Sequence, residues 1–163
     1  MGRIEVDPNL SPRVIPARIL NELCKHAVEG DEECCGLVVS ERGGRYGRVV
    51  SVWNEMTQLH ERDPETYPRD GRSAYHMNAG QVMKISREVE RTGEAVTAVY
   101  HSHVGAGAYL SEIDLEYARH PLFPFPKADQ IVLSTFEHRV REVAIFVPEG
   151  GGFVGRRLQA SLS

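Results

Sequence analysis

The sequence predicts an α/β fold built on a single mixed β-sheet flanked by helices. Helical and strand-like segments alternate as far as Pro121, and strand-like segments dominate after it. The length is in keeping: 163 residues, 41% hydrophobic and 26% charged, suit one domain with one core. That domain is read as 1–163, with its core over about 14–148.

Each element has a local reason. After a short polar lead, Pro16 occupies a first-turn position, and Ile19, Leu20, Leu23 and Ala27 recur at helical spacing until Gly30. Cys34 to Ser40 is a brief valine-rich apolar run, hence a buried strand. Glu41 to Gly44 forms a turn, and Arg45 to Asn54 returns as the second strand of a hairpin. Residues 55–72 are polar, hold two prolines and show no period, which reads as a long functional loop. Ser73 to Met77 is read as a further short strand. Asn78 with Gln81 resembles a capping box, and Val82, Ile85 and Val89 make one apolar face ending at Gly93. Ala95 to His103 is strand-like, and a Gly/Ala-rich loop leads to a helix over about Glu112 to Arg119, stopped by Pro121. Strands at Asp129–Thr135, Val140–Val147 and Gly152–Leu158 complete the sheet.

Composition narrows the function classes. A net charge of −4 and a pI near 6.0, with no basic stripe, argue against nucleic acid. No run approaches the ~18 apolar residues of a membrane span, and the lead MGRIEVDPNLSP lacks the apolar stretch of a signal peptide. Three cysteines, Cys24, Cys34 and Cys35, are too few and too odd for a disulfide framework. A reducing cytoplasm is the expected location. Cys34 and Cys35 point to opposite faces of a strand and are read as packing residues.

The chemistry concentrates in VYHSHVGAGAYLSEID, residues 99–114. His101 and His103 lie two apart on a strand, so their side chains share a face and can converge on one ion. A hydrolytic site needs a third, oxygen ligand, and Asp114 at the start of the next helix is placed to fold back and supply it. Three protein ligands leave a fourth tetrahedral position for water, the arrangement of a catalytic Zn2+. Ser111 and Asp114 also make a Ser-x-x-Asp capping pattern, so Ser111 reads both as a helix cap and as a site hydroxyl. His26, His60, His76, His120 and His138 have no such company and read as ordinary histidines. The Tyr109 and Tyr117 rings are read as core or rim packing. The Cys-x-x-Cys of zinc deaminases and the His-Glu-x-x-His of other zinc proteases are absent.

The run His101-Ser102-His103, ten intervening residues, then Asp114, with Ser111 three before it, resembles the JAMM motif of MPN-plus (Mov34/MPN/PAD-1) zinc metalloproteases. That family carries an upstream glutamate in a Glu-x-Cys-Gly context, matched here by Glu33-Cys34-Cys35-Gly36, whose register favours Glu33 over Glu32. The resemblance implies a JAB1/MPN (cytidine deaminase-like) architecture. It further implies that Glu33 activates the attacking water and passes its proton to the leaving amine, while Ser111 donates to the developing oxyanion. The substrate so implied is a peptide or isopeptide bond at the C-terminal Gly-Gly of a ubiquitin-like protein. The loop spacing, with Tyr109 before Leu110-Ser111, is similar to compact bacterial members that act on sulfur-carrier proteins. Two positions depart from the family pattern, Val104 and Leu110 standing where proline is common. MPN domains lacking the motif act as interaction scaffolds, typically as dimers, which leaves a homodimer and a non-catalytic role as the competing expectations.

Overall fold

Strand alternation and one amphipathic helix organise the molecule. The computed structural model of the protein describes residues 2–161. In chain order the elements are β1 (Arg13–Ile15), α1 (Ala17–Ala27), β2 (Cys35–Ser40), β3 (Arg48–Val52), α2 (Met56–Arg62) and α3 (Ala79–Thr92). They continue with β4 (Ala95–Val104), α4 (Glu112–Arg119), β5 (Asp129–Phe136), β6 (Arg139–Glu149) and β7 (Gly152–Ala160). The strands form one seven-stranded sheet in the order β1-β7-β6-β5-β4-β2-β3. The β4–β5 and β1–β7 pairs are parallel and the others antiparallel, so the sheet is mixed, as the sequence predicts. The parallel β4–β5 pair needs a crossover, and α4 provides it.

Helix α1 covers one face. Its apolar stripe, Ile19, Leu23 and Ala27, is buried against Val38, Ala98, Tyr100, Ile131, Leu133, Ile145 and Leu158. Burying each of the larger aliphatic side chains contributes about 1.5–3 kcal/mol. On the opposite face Val82 and Ile85 of α3 pack against a cluster containing Cys35, Leu37, Val52, Tyr75, Met77 and Val99. Helix α3 begins and ends as read: the Asn78 side chain accepts from Gln81 N at 3.0 Å, and Gly93 closes it at φ 78°. Cys34 packs on the α1 side and Cys35 on the α3 side, the split expected of neighbours on a strand.

Three expectations change. Residues 55–72 are not structureless, because α2 occupies Met56–Arg62. That helix has one buried residue, Met56, and no side-chain cap, so it carries little periodic signal. Asn54 anchors its start, with Oδ1 accepting from Met56 N at 3.1 Å. Ser73–Met77 is not a strand: only Met77 forms a bridge, to Asn54. The polar lead, in contrast, does pair. It supplies β1 and two bridges, Ile4 to Leu110 and Val6 to Gly155. No described helix is long and apolar enough to cross a membrane.

Candidate metal centre and its cleft

The C-terminal end of β4 carries His101 and His103 on the α3 side of the sheet, opposite Val132 and Ser134 of the neighbouring β5. Alternation gives them a shared face, and burial makes them rigid: His101 is fully buried and His103 nearly so. The ring of Tyr75 stacks on His101 with centroids 4.4 Å apart and planes 22° apart. His103 Nδ1 lies 2.8 Å from the Gly107 carbonyl oxygen, to which it donates. A neutral His103 so bonded turns the lone pair of Nε2 inward. The loop presenting Gly107 is itself pinned, because Ser134 Oγ donates to Ala106 O at 2.6 Å.

Asp114 closes the triangle. His101 Nε2 and His103 Nε2 are 3.1 Å apart, and Asp114 Oδ2 lies 3.2 Å from the first and 3.1 Å from the second. A tetrahedral ion bonded at ~2.0–2.1 Å would require donor–donor edges of about 3.4 Å, so the three atoms already stand close to ligand spacing. A cation seated between His103 Nε2 and the Asp114 oxygen 3.1 Å away would take a lone pair from each. The donor set therefore fits a divalent ion, and it is the one group of three such side chains that converges among the described residues. Burial holds the His101 pKa low, favouring the neutral, metal-binding ring. Burial raises the Asp114 pKa, but the two imidazoles outweigh it and hold the carboxyl well below the usual carboxylate range.

The start of α4 fixes Asp114. Ser111 Oγ accepts from Asp114 N at 3.1 Å, and Asp114 Oδ2 accepts from Ser111 N at 2.9 Å, a complete capping box. The capping reading of Ser111 holds, and its O–H is left as a donor in the cleft that Ser111 lines with His103 and Asp114.

Glu33 arrives by strand register. Cys35 of β2 pairs with His101 of β4, so Glu33, two residues earlier, projects from the same face at the level of His103. Two bonds between Cys34 and Ser102 extend this pairing beyond the strand: Ser102 N to Cys34 O at 3.0 Å, and Cys34 N to Ser102 Oγ at 2.8 Å. Glu33 is only 6% exposed, whereas Glu32 is exposed and accepts from Thr57 Oγ1 at 2.9 Å. Among the described residues Glu33 Oε1 has no hydrogen-bond partner. Burial and then the Asp114 charge push the Glu33 pKa well up, with Arg69 opposing.

Glu33, His103, Ser111 and Asp114 line a cleft of about 130 Å³ together with Arg69, Arg72, Ser73, Tyr109 and Ile113. Beyond Ile113 and Asp114, which line both, lies a larger, mainly apolar groove of about 840 Å³ with Tyr75, Met77, Val82, Tyr117 and Phe123 in its walls. Tyr109 and Tyr117 thus line these openings as well as packing. Sequence reading did not single out Tyr75, Arg69, Arg72 or the N-terminal arm. That arm pairs Ile4 with Leu110 through two 2.9 Å bonds and lays Arg3 over the Tyr109 ring at 4.2 Å. Leu110 N is a donor in this pairing, which gives a reason for a residue other than proline there.

Fold and site together define a JAB-type domain. Residues 16–146 match the family described as prokaryotic homologs of the JAB domain, and the chain belongs to that family. Among its relatives are proteins named CysO-cysteine peptidase from Mycobacterium bovis and Mycobacterium tuberculosis. They are 29% identical to it over 110 residues, a match covering 66% of this chain and 66% of theirs. Solved structures share the fold. A Desulfitobacterium hafniense protein aligns with TM-score 0.61 at 17% identity, covering 91% of this chain and 92% of its own. A Salinibacter ruber protein aligns with TM-score 0.59 at 19% identity, covering 92% of each chain.

Proposed function

We propose that the protein is a zinc-dependent metallopeptidase of JAMM type. Its substrate is a peptide or isopeptide bond at the C-terminal Gly-Gly of a ubiquitin-like or sulfur-carrier protein in the cytoplasm. The observation that carries this reading is the near-equilateral donor triangle of His101, His103 and Asp114, with the unpartnered Glu33 carboxyl in the same cleft. The mycobacterial relatives named CysO-cysteine peptidase support a carrier protein as the substrate class.

His101 Nε2, His103 Nε2 and Asp114 Oδ2 would hold the zinc. When bound, zinc supplies Lewis acidity toward the scissile carbonyl and lowers the pKa of water at the site. Glu33 accepts the proton of the attacking water at its carboxylate and delivers it to the amine as the C–N bond breaks. Ser111 Oγ–H donates to the carbonyl oxygen as negative charge develops there. The apolar groove beyond Ile113 receives the extended carrier tail. A non-catalytic scaffold has no need of a complete donor set and base, and both are present.

The test is metal content by elemental mass spectrometry, alongside cleavage of a ubiquitin-fold carrier extended beyond Gly-Gly. About one zinc per chain, with hydrolysis that a chelator abolishes and zinc restores, is the expected result. A zinc-loaded protein that leaves every Gly-Gly adduct intact would overturn the substrate reading. A protein that takes up no metal would overturn the enzyme.

A further inference from the structure

We propose that Arg69 and Arg72 form a subsite for the free α-carboxylate of the residue the enzyme releases. The substrate is then a chain extended by a single C-terminal residue, and a lysine-linked pair of folded chains is excluded. This rests on the peptidase reading above and specifies its leaving group.

Two arginines on an exposed segment are ordinarily just solvated, and here position sets them apart. Both line the small cleft that holds Glu33 and Ser111, while the large apolar groove opens from the other side of Ile113 and Asp114. With the tail in the groove, the cleft faces the departing amine. At about 130 Å³ it falls below the roughly 300–1,000 Å³ of ordinary ligand pockets, a size for one small residue.

The arginines are indexed to the base by the backbone between them. Glu33 N donates to Gly71 O at 2.7 Å, and Gly71 N donates to Thr57 Oγ1 at 2.9 Å. A side chain at Gly71 would strike the Glu32 carboxylate, so this contact is close. Arg69 and Arg72 therefore flank a residue bonded directly to Glu33.

Among the described residues neither arginine is committed to a contact ion pair, although the Arg69 charge is near enough to Glu33 to oppose the rise in its pKa. Arg69 Nη1 reaches only the Ser73 carbonyl at 3.5 Å, and the Asp70 carboxylate is turned to the backbone N of Arg72 at 2.9 Å. A carboxylate brought by the substrate meets planar donors suited to bidentate pairing. The α-carboxylate lies two bonds from a scissile peptide nitrogen, so it must enter the first space beside the metal. An isopeptide nitrogen carries no carboxylate there. In the reaction water adds to the acyl carbon, the C–N bond breaks, and the released residue leaves with its amine protonated and its carboxylate unchanged.

The test compares a tail peptide ending Gly-Gly-Ser as the free acid with the same peptide as its C-terminal amide. Serine avoids a thiol that would bind the metal. The expected kcat/KM ratio of acid to amide is roughly tenfold to a hundredfold, mostly in KM, and falls to near one in the R69A/R72A double variant. A purely structural role would lower both rates together and leave the ratio intact, which would overturn the proposal. The Kd ratio for the two peptides, measured by fluorescence anisotropy in a Glu33→Gln background with and without the arginines, reads the subsite without turnover. If neither peptide is cleaved the peptidase reading fails, and this Kd ratio still decides the arginines: a preference for the acid that they carry supports them, and equal affinities overturn them.

Discussion

Ser111 holds two jobs that substitution can separate. Its oxygen caps α4 by accepting from Asp114 N at 3.1 Å, and its proton is free for the substrate. Ser111→Ala removes both, whereas Ser111→Gly removes the hydroxyl but keeps most of the stability, since glycine is itself a tolerable cap. Losing a serine cap to alanine costs about 1 kcal/mol, and to glycine a few tenths. In a chain of this size 1 kcal/mol lowers Tm by about 2–4 °C. Removing one oxyanion donor costs about 10²–10³ in kcat. Asp114 stays placed in either variant, because Ser111 N still donates to Oδ2 at 2.9 Å. The expected outcome is a clear Tm drop in the alanine variant, a small one in glycine, and an equal collapse of kcat in both. Differential scanning calorimetry on zinc-loaded protein and steady-state hydrolysis give the two readouts. A glycine variant with near wild-type kcat would refute the catalytic role and leave Ser111 as a cap alone.

Further outcomes follow from the same geometry. His103→Ala breaks the donor triangle and should lose zinc and activity together, as read by elemental mass spectrometry; retained zinc would show that the ligand set is wrong. Glu33→Gln keeps the metal and should reduce kcat by about 10²–10⁴, the usual contribution of a general base, while Glu32→Gln should leave kcat within a few fold. Chelation should lower Tm, because zinc at 100 times its Kd adds about 2.7 kcal/mol, or roughly 5–10 °C here, and an unchanged melting curve would count against a resident ion. Leu23→Ala opens a cavity behind the sheet and should cost about 2–5 kcal/mol in urea unfolding.

How much of this was legible in the sequence depended on what holds each part. Helix α1 carries a buried stripe, and α3 has an apolar face of Val82, Ile85 and Val89 at helical spacing with a capping asparagine and a left-handed glycine, all local signals. Helix α2 carries one buried side chain and is anchored by Asn54 and by loop contacts distant in sequence, so no period marked it. The N-terminal arm looked polar because its partners, Leu110, Gly155 and β7, lie far along the chain. At the site, the His-x-His spacing and the Ser-x-x-Asp cap are local and were readable. Tyr75, stacked on His101, and Arg69 and Arg72, beside Glu33, join the site only through folding. The glycine of the Glu-x-Cys-Gly run gains a physical reason from the fold. A side-chain carbon at Gly36 would lie 2.5 Å from both the Tyr100 hydroxyl and the Val50 carbonyl oxygen.

The pairing of Cys35 with His101 has a consequence for how errors in this molecule show themselves. Base and ligands sit on separate strands and share no covalent neighbourhood, so only the β2–β4 ladder brings them level. A slip of one residue would turn Glu33 to the α1 side, and a slip of two would carry it ~7 Å along the strand. Either misaligned chain would still present its histidines and could still take up zinc, yet would be silent in turnover. Specific activity per bound zinc therefore measures the fraction of molecules whose strands closed in correct alignment, a fidelity gauge that metal content and secondary structure would both miss.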